Sequence, residues 1–305
     1  MPLKFPQVEK KKKDTHPGRG FLGLTPKVKI LLSILATAAG VVLIVLFVPF
    51  KDIAKALEEI SPRALIIGFS LYALSYVFRT LRWKIYYSEA PFGYLFLTTA
   101  VNTFLNNTVP MRLGELSVFG FLRRFDPDVK TTLKKFLKVR LYDAIALLTV
   151  LTFAVVSLKT NYLFGLLSAV AVYPAVLLLS KFFYGLWKKF PVLDAEPLTF
   201  LYSLGALLSK LLAVYAVLEF LPLGFVKFTV GFLGGEISSI LPVNAFANIG
   251  TYESAFSLAL KFFTGESFKE GVKVAFLSHA FLLFASAILG GFSLLYLLRK
   301  FPRRG

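Results

Sequence analysis

Six apolar runs, each about as long as a bilayer core requires, constrain this chain more than any other feature. A helix needs ~20 apolar residues to cross the hydrocarbon core. The segments between these runs are too short to fold as separate domains, and a mean hydropathy of +0.70 is typical of membrane proteins. The sequence therefore predicts an all-α integral membrane protein with six full transmembrane helices. The predicted spans are 30–50, 62–86, 136–158, 163–184, 198–221 and 272–298.

Two further apolar runs end at a proline inside otherwise helical sequence, at Pro110 and at Pro242. Each is followed by a glycine and a glutamate and then by a second, shorter apolar run. A broken backbone is tolerated at membrane depth only where protein or a water-filled cavity satisfies its freed amide groups. Each pair is therefore predicted to be a re-entrant helical hairpin. The pairs are 94–109 with 113–122, and 225–241 with 251–263.

The order of these segments predicts an internal repeat. The series of span, proline-ended helix, short helix and span occurs over 62–158 and again over 198–298, with the single span 163–184 between them. One intervening crossing reverses the second unit, so we expect an inverted repeat whose hairpins enter from opposite faces. Secondary transporters use this architecture and bind their substrate near the midplane, where broken helices meet.

The formal charge of +18 is concentrated beside the apolar runs. That distribution favours orientation against anionic lipid over nucleic-acid binding. The positive-inside rule predicts a mobile cytoplasmic tail at 1–29, an outer loop at 51–61 and a cytoplasmic end at 299–305. Arg79 and Arg82 are assigned to an inner turn. We therefore expect a multi-pass protein of the cell membrane with both termini cytoplasmic, whose single membrane domain covers 30–298.

Polar residues in the first unit form the main candidate substrate site, because ionisable groups at membrane depth are costly and usually functional. Arg112 is suited to a phosphate through bidentate hydrogen bonds at a helix N-terminus. Two structural alternatives stay open: an Arg112–Glu115 pair that seals the hairpin tip, and a local pair between Arg140 and Asp143, three residues apart on one helix. The candidate binding residues here are Asn106, Asn107, Arg112, Glu115, Arg140 and Asp143.

The second unit supplies Asn244 and Glu253 as further substrate-binding candidates, on either side of Gly250. Glu236, Lys210 and His279 are predicted to serve coupling or gating. Simpler explanations exist for two of them. Glu236 follows a Gly-Gly pair that permits tight helix packing, and a lone histidine on an apolar helix is commonly a satisfied interhelical donor.

Catalytic and metal-binding patterns match this sequence poorly. It has no cysteine, two histidines and no HExxH, P-loop or GxSxG pattern. The Asp126-Pro127-Asp128 triplet has the spacing of a metal-binding Asp-x-Asp motif, but a turn with helix-capping aspartates explains it better. We therefore expect no enzyme activity, no cofactor and no metal site.

Several of these motifs, in this order and spacing, resemble the flippase-like transmembrane domain of lysylphosphatidylglycerol synthases and the free-standing membrane proteins grouped with it. The resemblance covers about residues 30–298, and it implies movement of an aminoacylated or related phospholipid between leaflets. The chain has Ser117 and Val118 where the family often has another arginine, and Asn244-Ala-Phe-Ala-Asn248 where it often has a Pro-Gly-Gly turn. The resemblance to this family rests on the following motifs: Arg79-Thr-Leu-Arg82-Trp83, Asn106-Asn107, Pro110-Met-Arg112-Leu-Gly114-Glu115, Arg140-x-x-Asp143, and Pro242 with Gly250 and Glu253.

These observations together predict a lipid translocator. Arg112 and Arg140 hold a lipid phosphate, while Glu115, Asp143 and Glu253 supply counter-charge or hold a headgroup amine. Two alternatives remain: a membrane-embedded transferase acting on polyprenyl-phosphate-linked sugars, and an accessory anchor for a separate enzyme. The expected partners are membrane lipids with a phosphate headgroup, together with a second copy of the chain or a separate lipid-modifying enzyme.

Overall fold

The structure, a computed structural model, describes residues 26–109, 114–123, 125–126, 128–186, 193–239 and 245–300. This part of the chain folds into α-helices joined by short connections, as the sequence predicts. The helices are α1 (Pro26–Phe47), α2 (Phe50–Glu59), α3 (Pro62–Tyr86), α4 (Phe92–Thr108), α5 (Glu115–Leu122), α6 (Val129–Lys159), α7 (Tyr162–Leu186), α8 (Pro197–Val217), α9 (Phe225–Ser238), α10 (Thr251–Thr264) and α11 (Phe268–Lys300).

Five of these helices, α3, α6, α7, α8 and α11, are long and apolar enough to cross a membrane. Each corresponds to one of the predicted spans. The predicted first span is the 22-residue helix α1, whose described apolar segment is Leu31–Phe47. At 1.5 Å per residue, 22 residues extend ~33 Å, about the thickness of a hydrocarbon core.

Local signals in the sequence fix where several spans begin. Ser61 caps α3 by accepting a hydrogen bond from the Ala64 amide, and Pro62 occupies the first helical position. Asp128 caps α6 by accepting from the Lys130 and Thr131 amides. Short polar side chains at this position satisfy amide groups that have no partner within the helix. The turn-and-cap interpretation of the Asp126–Asp128 segment is therefore confirmed for Asp128.

The segment between the first two spans departs from expectation. The predicted outer loop at 51–61 is wrong in conformation, because Phe50–Glu59 forms the helix α2. This helix is strongly amphipathic: Ala56 is buried, whereas Lys55 and Glu59 lie one turn apart on the exposed side. Its short apolar face was masked by the charges around it, and packing against the bundle stabilises it.

Each predicted hairpin contains two short helices in contact, α4 with α5 and α9 with α10. Helices α4 and α9 have 17 and 14 residues, which correspond to ~26 Å and ~21 Å and fall short of a ~30 Å core. The segments between the paired helices, 110–113 and 240–244, are outside the described residues. The re-entrant path of each pair stays a prediction.

The helices of the two sequence units contact each other reciprocally. The first helices of the units, α3 and α8, pack together. The second helix of each unit packs on the last helix of the other, α4 on α11 and α9 on α6. Aromatic side chains fill the centre, including Tyr72, Tyr76, Phe228, Phe232 and Phe256. Helix α7, between the units in sequence, packs mainly on α6 and leaves most of its surface exposed.

Helix α1 docks onto the second unit where the backbones approach closely. Gly40 faces Gly250, and a Cβ atom added to Gly40 would lie 2.5 Å from the Gly250 Cα. Gly250 itself has a φ of 87°, which favours glycine. The Phe246 amide donates a hydrogen bond to the Thr37 hydroxyl at 2.8 Å. These contacts fix α1 against the start of α10.

Candidate functional site

A cavity of about 150 Å³ lies inside the bundle, between the two units. Helices α3, α4, α6, α8 and α9 line it, so both units contribute. Unlike the aromatic centre beside it, the lining is rich in charged and amide side chains. Its charged residues are Arg79, Arg82, Arg140, Asp143, Lys210 and Glu236.

Alternating charges connect α3, α6 and α5 on one side of this cavity. Arg82 donates to an Asp143 carboxylate oxygen and, at 2.9 Å, to the Ser203 hydroxyl. Arg140 donates to the other Asp143 oxygen at 3.4 Å and to Glu115 Oε1 at 2.7 Å. Asp143 thus bridges two arginines and Arg140 bridges two carboxylates. The predicted local Arg140–Asp143 pair exists, as part of a longer chain of ion pairs.

Arg79 lies one turn before Arg82 and is held differently. Its guanidinium donates to the Thr103 hydroxyl at 3.2 Å and lies 5.8 Å from the centre of the Tyr76 ring. Among the described residues, no carboxylate lies within ion-pairing distance of it. The four cavity cations are thus opposed by three carboxylates when Glu115 is included. Counted over the described residues, one positive charge exceeds the carboxylates, and Arg79 is the cation without a carboxylate partner among them.

Lys210 and Glu236 form the cavity's contact between α8 and α9. The ammonium group donates to both carboxylate oxygens, at 2.7 and 2.8 Å. Only 11% of the Lys210 side chain and 14% of the Glu236 side chain are exposed. Both predicted coupling residues therefore face the same cavity as Arg140 and Asp143.

Amide groups on α4 complete the lining. Asn102 donates to the Gly114 carbonyl at 2.8 Å, and Asn106 donates to Asn102 Oδ1 at 3.3 Å. The Asn106 Oδ1 atom is buried and accepts no hydrogen bond from the described residues. Gly114 allows the start of α5 to approach closely, because a Cβ atom there would lie 2.4 Å from the Asn106 amide nitrogen. A buried acceptor without a partner in the described structure leaves one hydrogen-bonding position unfilled.

Glu253 and His279, in contrast, lie in a second cavity of about 260 Å³ between α1, α10 and α11. Glu253 is 1% exposed and His279 is 6% exposed. One carboxylate oxygen accepts from the Gly250 amide at 2.6 Å, which caps α10, and the other is 2.7 Å from His279 Nδ1. Glu253 therefore does not share a cavity with the other predicted binding residues.

The structure thus divides the predicted site residues into groups. Asn106, Asn107, Arg140, Asp143, Lys210 and Glu236 line the first cavity, and Glu115 joins them through Arg140. Glu253 and His279 line the second. Arg112 and Asn244 lie outside the described residues.

Sequence reasoning left two important residues out of the candidate site. Arg79 and Arg82 were assigned to an inner turn at the end of the predicted span 62–86, and the structure shows that both line the cavity. A signal was present: Tyr72 and Tyr76 precede them at helical spacing on the same buried face. The excess of basic residues in the predicted inner turn concealed this helical periodicity.

Another polar cluster stabilises the approach to α8. Lys138 contacts Asp194 at 2.7 Å and Glu196 at 2.9 Å. The hydrogen bond from Lys138 lowers the pKa of Asp194. Burial raises the pKa of Glu196, but hydrogen bonds from Tyr86 and Lys138 outweigh this effect and the net pKa is lowered. Both carboxylates are thus charged at neutral pH and hold the 193–196 segment against α6.

Within the described residues, no cluster of three potential metal ligands occurs.

Comparison with known proteins gives two matches. The family model described as the lysylphosphatidylglycerol synthase TM region matches residues 30–290. A UPF0104 membrane protein from Methanothermobacter thermautotrophicus is 36% identical over 99 residues, which cover 31% of this chain and 28% of that protein. The match to this relative is therefore partial in both chains.

Proposed function

Because the chain belongs to the lysylphosphatidylglycerol synthase transmembrane-region family, we propose that it moves a phosphate-bearing lipid between membrane leaflets. The route is the first cavity, which we call the ion-paired cavity and which is lined by Arg79, Arg82, Arg140, Asp143, Lys210 and Glu236. The acyl or prenyl tails stay in the bilayer while the headgroup crosses the polar interior. The lipid is a phospholipid or a polyprenyl phosphate. The protein acts as a translocator and does not modify the lipid covalently.

One observation carries this proposal: within the part of the chain that the structure describes, a polar cavity of the helical bundle holds one more cation than carboxylates. Arg79 is half-buried and lines this cavity without a carboxylate partner among the described residues, so its guanidinium can receive an anion. The phosphodiester of a phospholipid carries one negative charge and compensates Arg79 on binding, and the phosphomonoester of a polyprenyl phosphate carries at least one. Its oxygens match the planar donors of a guanidinium.

The surrounding groups support headgroup recognition. Asn106 Oδ1 has no partner among the described residues and is suited to accept a hydrogen bond from a headgroup hydroxyl or ammonium. Arg140 contacts two carboxylates at once, Glu115 and Asp143, so a phosphate can replace one of them while the other pair remains. Arg112 retains its predicted role as a further phosphate ligand.

Alternating access through an inverted repeat would give the headgroup a route from each side. The reciprocal packing of α4 on α11 and of α9 on α6 is what a two-fold relation between the units produces. Both units meet at the cavity, as the inverted-repeat transporters place their substrate site. In this proposal each hairpin controls entry from one leaflet, with both termini in the cytoplasm of a cell membrane.

The experiment is lipid movement in reconstituted vesicles. Fluorescent phosphatidylglycerol is reconstituted with the protein, and the fraction bleached by an impermeant reductant reports movement between leaflets. We expect Arg79→Gln to slow movement by about tenfold or more, equivalent to ~1.4 kcal/mol, because the cavity then loses its uncompensated charge. Arg63→Gln is the matched control, since Arg63 is exposed on the same helix.

Equal rates for wild type and protein-free vesicles would refute translocation of this lipid class. Equal rates for wild type and Arg79→Gln would refute the assigned phosphate contact. Fluorescent phosphatidylcholine and a labelled polyprenyl phosphate, tested in parallel, distinguish a zwitterionic or prenyl lipid from an anionic phospholipid. Movement that requires an added nucleotide sugar would favour the transferase hypothesis.

A further inference from the structure

The second cavity contains an acid and a base buried side by side away from the headgroup site. Glu253 on α10 and His279 on α11 are joined at 2.7 Å, and each is more than nine-tenths buried. Apart from these two side chains the lining is apolar, and it includes Val41 and Val45 of α1. A carboxylate oxygen and an imidazole nitrogen at this distance can share one proton through a hydrogen bond.

Tyr252 connects this pair to the ion-paired cavity. Its ring lies 4.7 Å from the His279 ring, and its other side packs so closely on Gly235 that a Cβ there would lie 2.4 Å from the ring. Gly235 immediately precedes Glu236, the Lys210 partner in the first cavity. The Tyr252 hydroxyl is buried and has no hydrogen-bond partner among the described residues. A buried hydroxyl without a partner in the described structure, on a ring that contacts both His279 and the residue before Glu236, is a candidate proton carrier.

The titratable groups around the pair are few in the described structure. Helix α10 contributes Tyr252 and Glu253, and α11 contributes His279. Helix α9 contributes Glu236, with its partner Lys210 on α8, and α3 contributes Tyr72, which reaches α11 through Phe281. Between residues 31 and 47, α1 has no ionisable side chain. The next acid beyond the pair is therefore Glu236, reached through Tyr252.

We propose that Glu253 and His279 form a proton-binding dyad that couples headgroup movement in the ion-paired cavity to the movement of a proton, with Tyr252 as the link. This inference rests on the translocation proposed above. With neutral imidazole and ionised carboxylate the dyad has one negative charge; binding one proton makes it an imidazolium–carboxylate pair of zero net charge. The proton enters from water on one side and leaves to water on the other.

Charge balance provides the physical reason. A phosphodiester that binds at Arg79 adds one negative charge to the bundle, and a proton on the dyad cancels it. The loaded protein then carries the same net charge as the empty one, and the membrane potential neither assists nor opposes the crossing. Glu236 transmits the change, because a phosphate that competes for Lys210 frees the carboxylate of the residue after Gly235, on which Tyr252 packs.

The dyad can be observed independently of transport, since the chain contains two histidines, His16 and His279. Protein labelled with ¹⁵N-histidine, in a His16→Gln background, gives one imidazole whose nitrogen shifts report its charge. We expect its nitrogen shifts to change with pH, and Glu253→Gln to alter the pH range of that change, because the paired charge is lost. An imidazole that keeps one protonation state between about pH 5 and pH 9 would overturn the proposal.

The functional test uses the fluorescent phosphatidylglycerol vesicles at matched inner and outer pH. We expect the wild-type rate to change about threefold or more between about pH 5.5 and pH 7.5, and His279→Gln to abolish this dependence. Tyr252→Phe keeps the ring contacts and removes the hydroxyl alone. It should leave the titration of His279 intact but flatten the pH profile of movement. The His16→Gln protein is the control.

The outcomes separate the two proposals. Movement by wild-type protein that is independent of pH overturns the coupling and leaves translocation standing. An absence of movement at every pH overturns translocation and the coupling with it. If His279→Gln does not fold, Tyr252→Phe decides, and a pH profile unchanged from wild type in that variant overturns the assigned link.

Discussion

The Lys210–Glu236 contact allows a quantitative test of the cavity's ion pairs. The perturbation is Lys210→Met, which retains an unbranched chain and removes the charge. Glu236 is then left as a buried carboxylate whose two ammonium hydrogen bonds, at 2.7 and 2.8 Å, are gone. Removal of one partner of a buried pair typically costs ~3–5 kcal/mol. With 11% and 14% of the side chains exposed, solvent screening reduces this cost little.

The opposite result is expected when both partners are replaced. Two apolar side chains of similar volume need no counter-charge, so the variant carrying Lys210→Met and Glu236→Met should lie within ~1 kcal/mol of wild type or above it. Lys55→Met is the control, because Lys55 and Glu59 form an exposed pair at 3.9 Å. Pairs of that kind contribute ~0–1 kcal/mol.

Thermal unfolding in detergent, followed by tryptophan fluorescence and by size exclusion after heating, measures these differences. The single variant should lose roughly 5–10 °C in Tm, while the double variant and the control stay near wild type. A double variant as unstable as the single one would refute the argument that the unpaired charge causes the loss. The double variant should also move labelled lipid more slowly, because it removes two charged side chains from the cavity. Stability and function would then separate.

Three further predictions concern the fold. Gly40→Ala should lower stability by ~1–3 kcal/mol, because its Cβ would lie 2.5 Å from the Gly250 backbone. Gly185→Ala is the control and should be neutral or stabilising in the same unfolding assay, because a Cβ there meets nothing within 4 Å. Equal losses of stability in the two variants would contradict the close-approach argument. The hydrogen bonds from Thr131 and Lys130 lower the pKa of Asp128, so the stability difference between wild type and Asp128→Ala should be complete above the unfolded-state pKa of about 3.9 and shrink as the pH falls through the folded-state value. An unfolding series at stepped pH measures this, and a difference that grows in acid would contradict it. In a chain without native cysteine, Glu58→Cys should react with an impermeant maleimide on intact cells and Lys134→Cys only after permeabilisation; the reverse pattern would invert the proposed orientation.

Much of the candidate site was predictable because burial of charge in an apolar run is visible in the sequence. Arg140, Asp143, Lys210 and Glu236 were identified this way, and the structure brings all four to one cavity. Arg79 and Arg82 were missed because they lie near the end of a span, where basic residues usually orient the protein. Whether a cation near a helix end faces lipid headgroups or the bundle depends on the rotation of the helix, which packing sets.

The sequence by itself determined which segments are helical and apolar, since the length of an apolar run and the positions of proline, serine and aspartate act locally. The α3 cap at Ser61, the α6 cap at Asp128 and the five membrane-length helices all follow from such signals. The tertiary structure decided which charges meet. Glu253 was expected beside the arginines, yet it pairs with His279 in a separate cavity, because the partner of a buried ion depends on side-chain distances across helices that are remote in sequence.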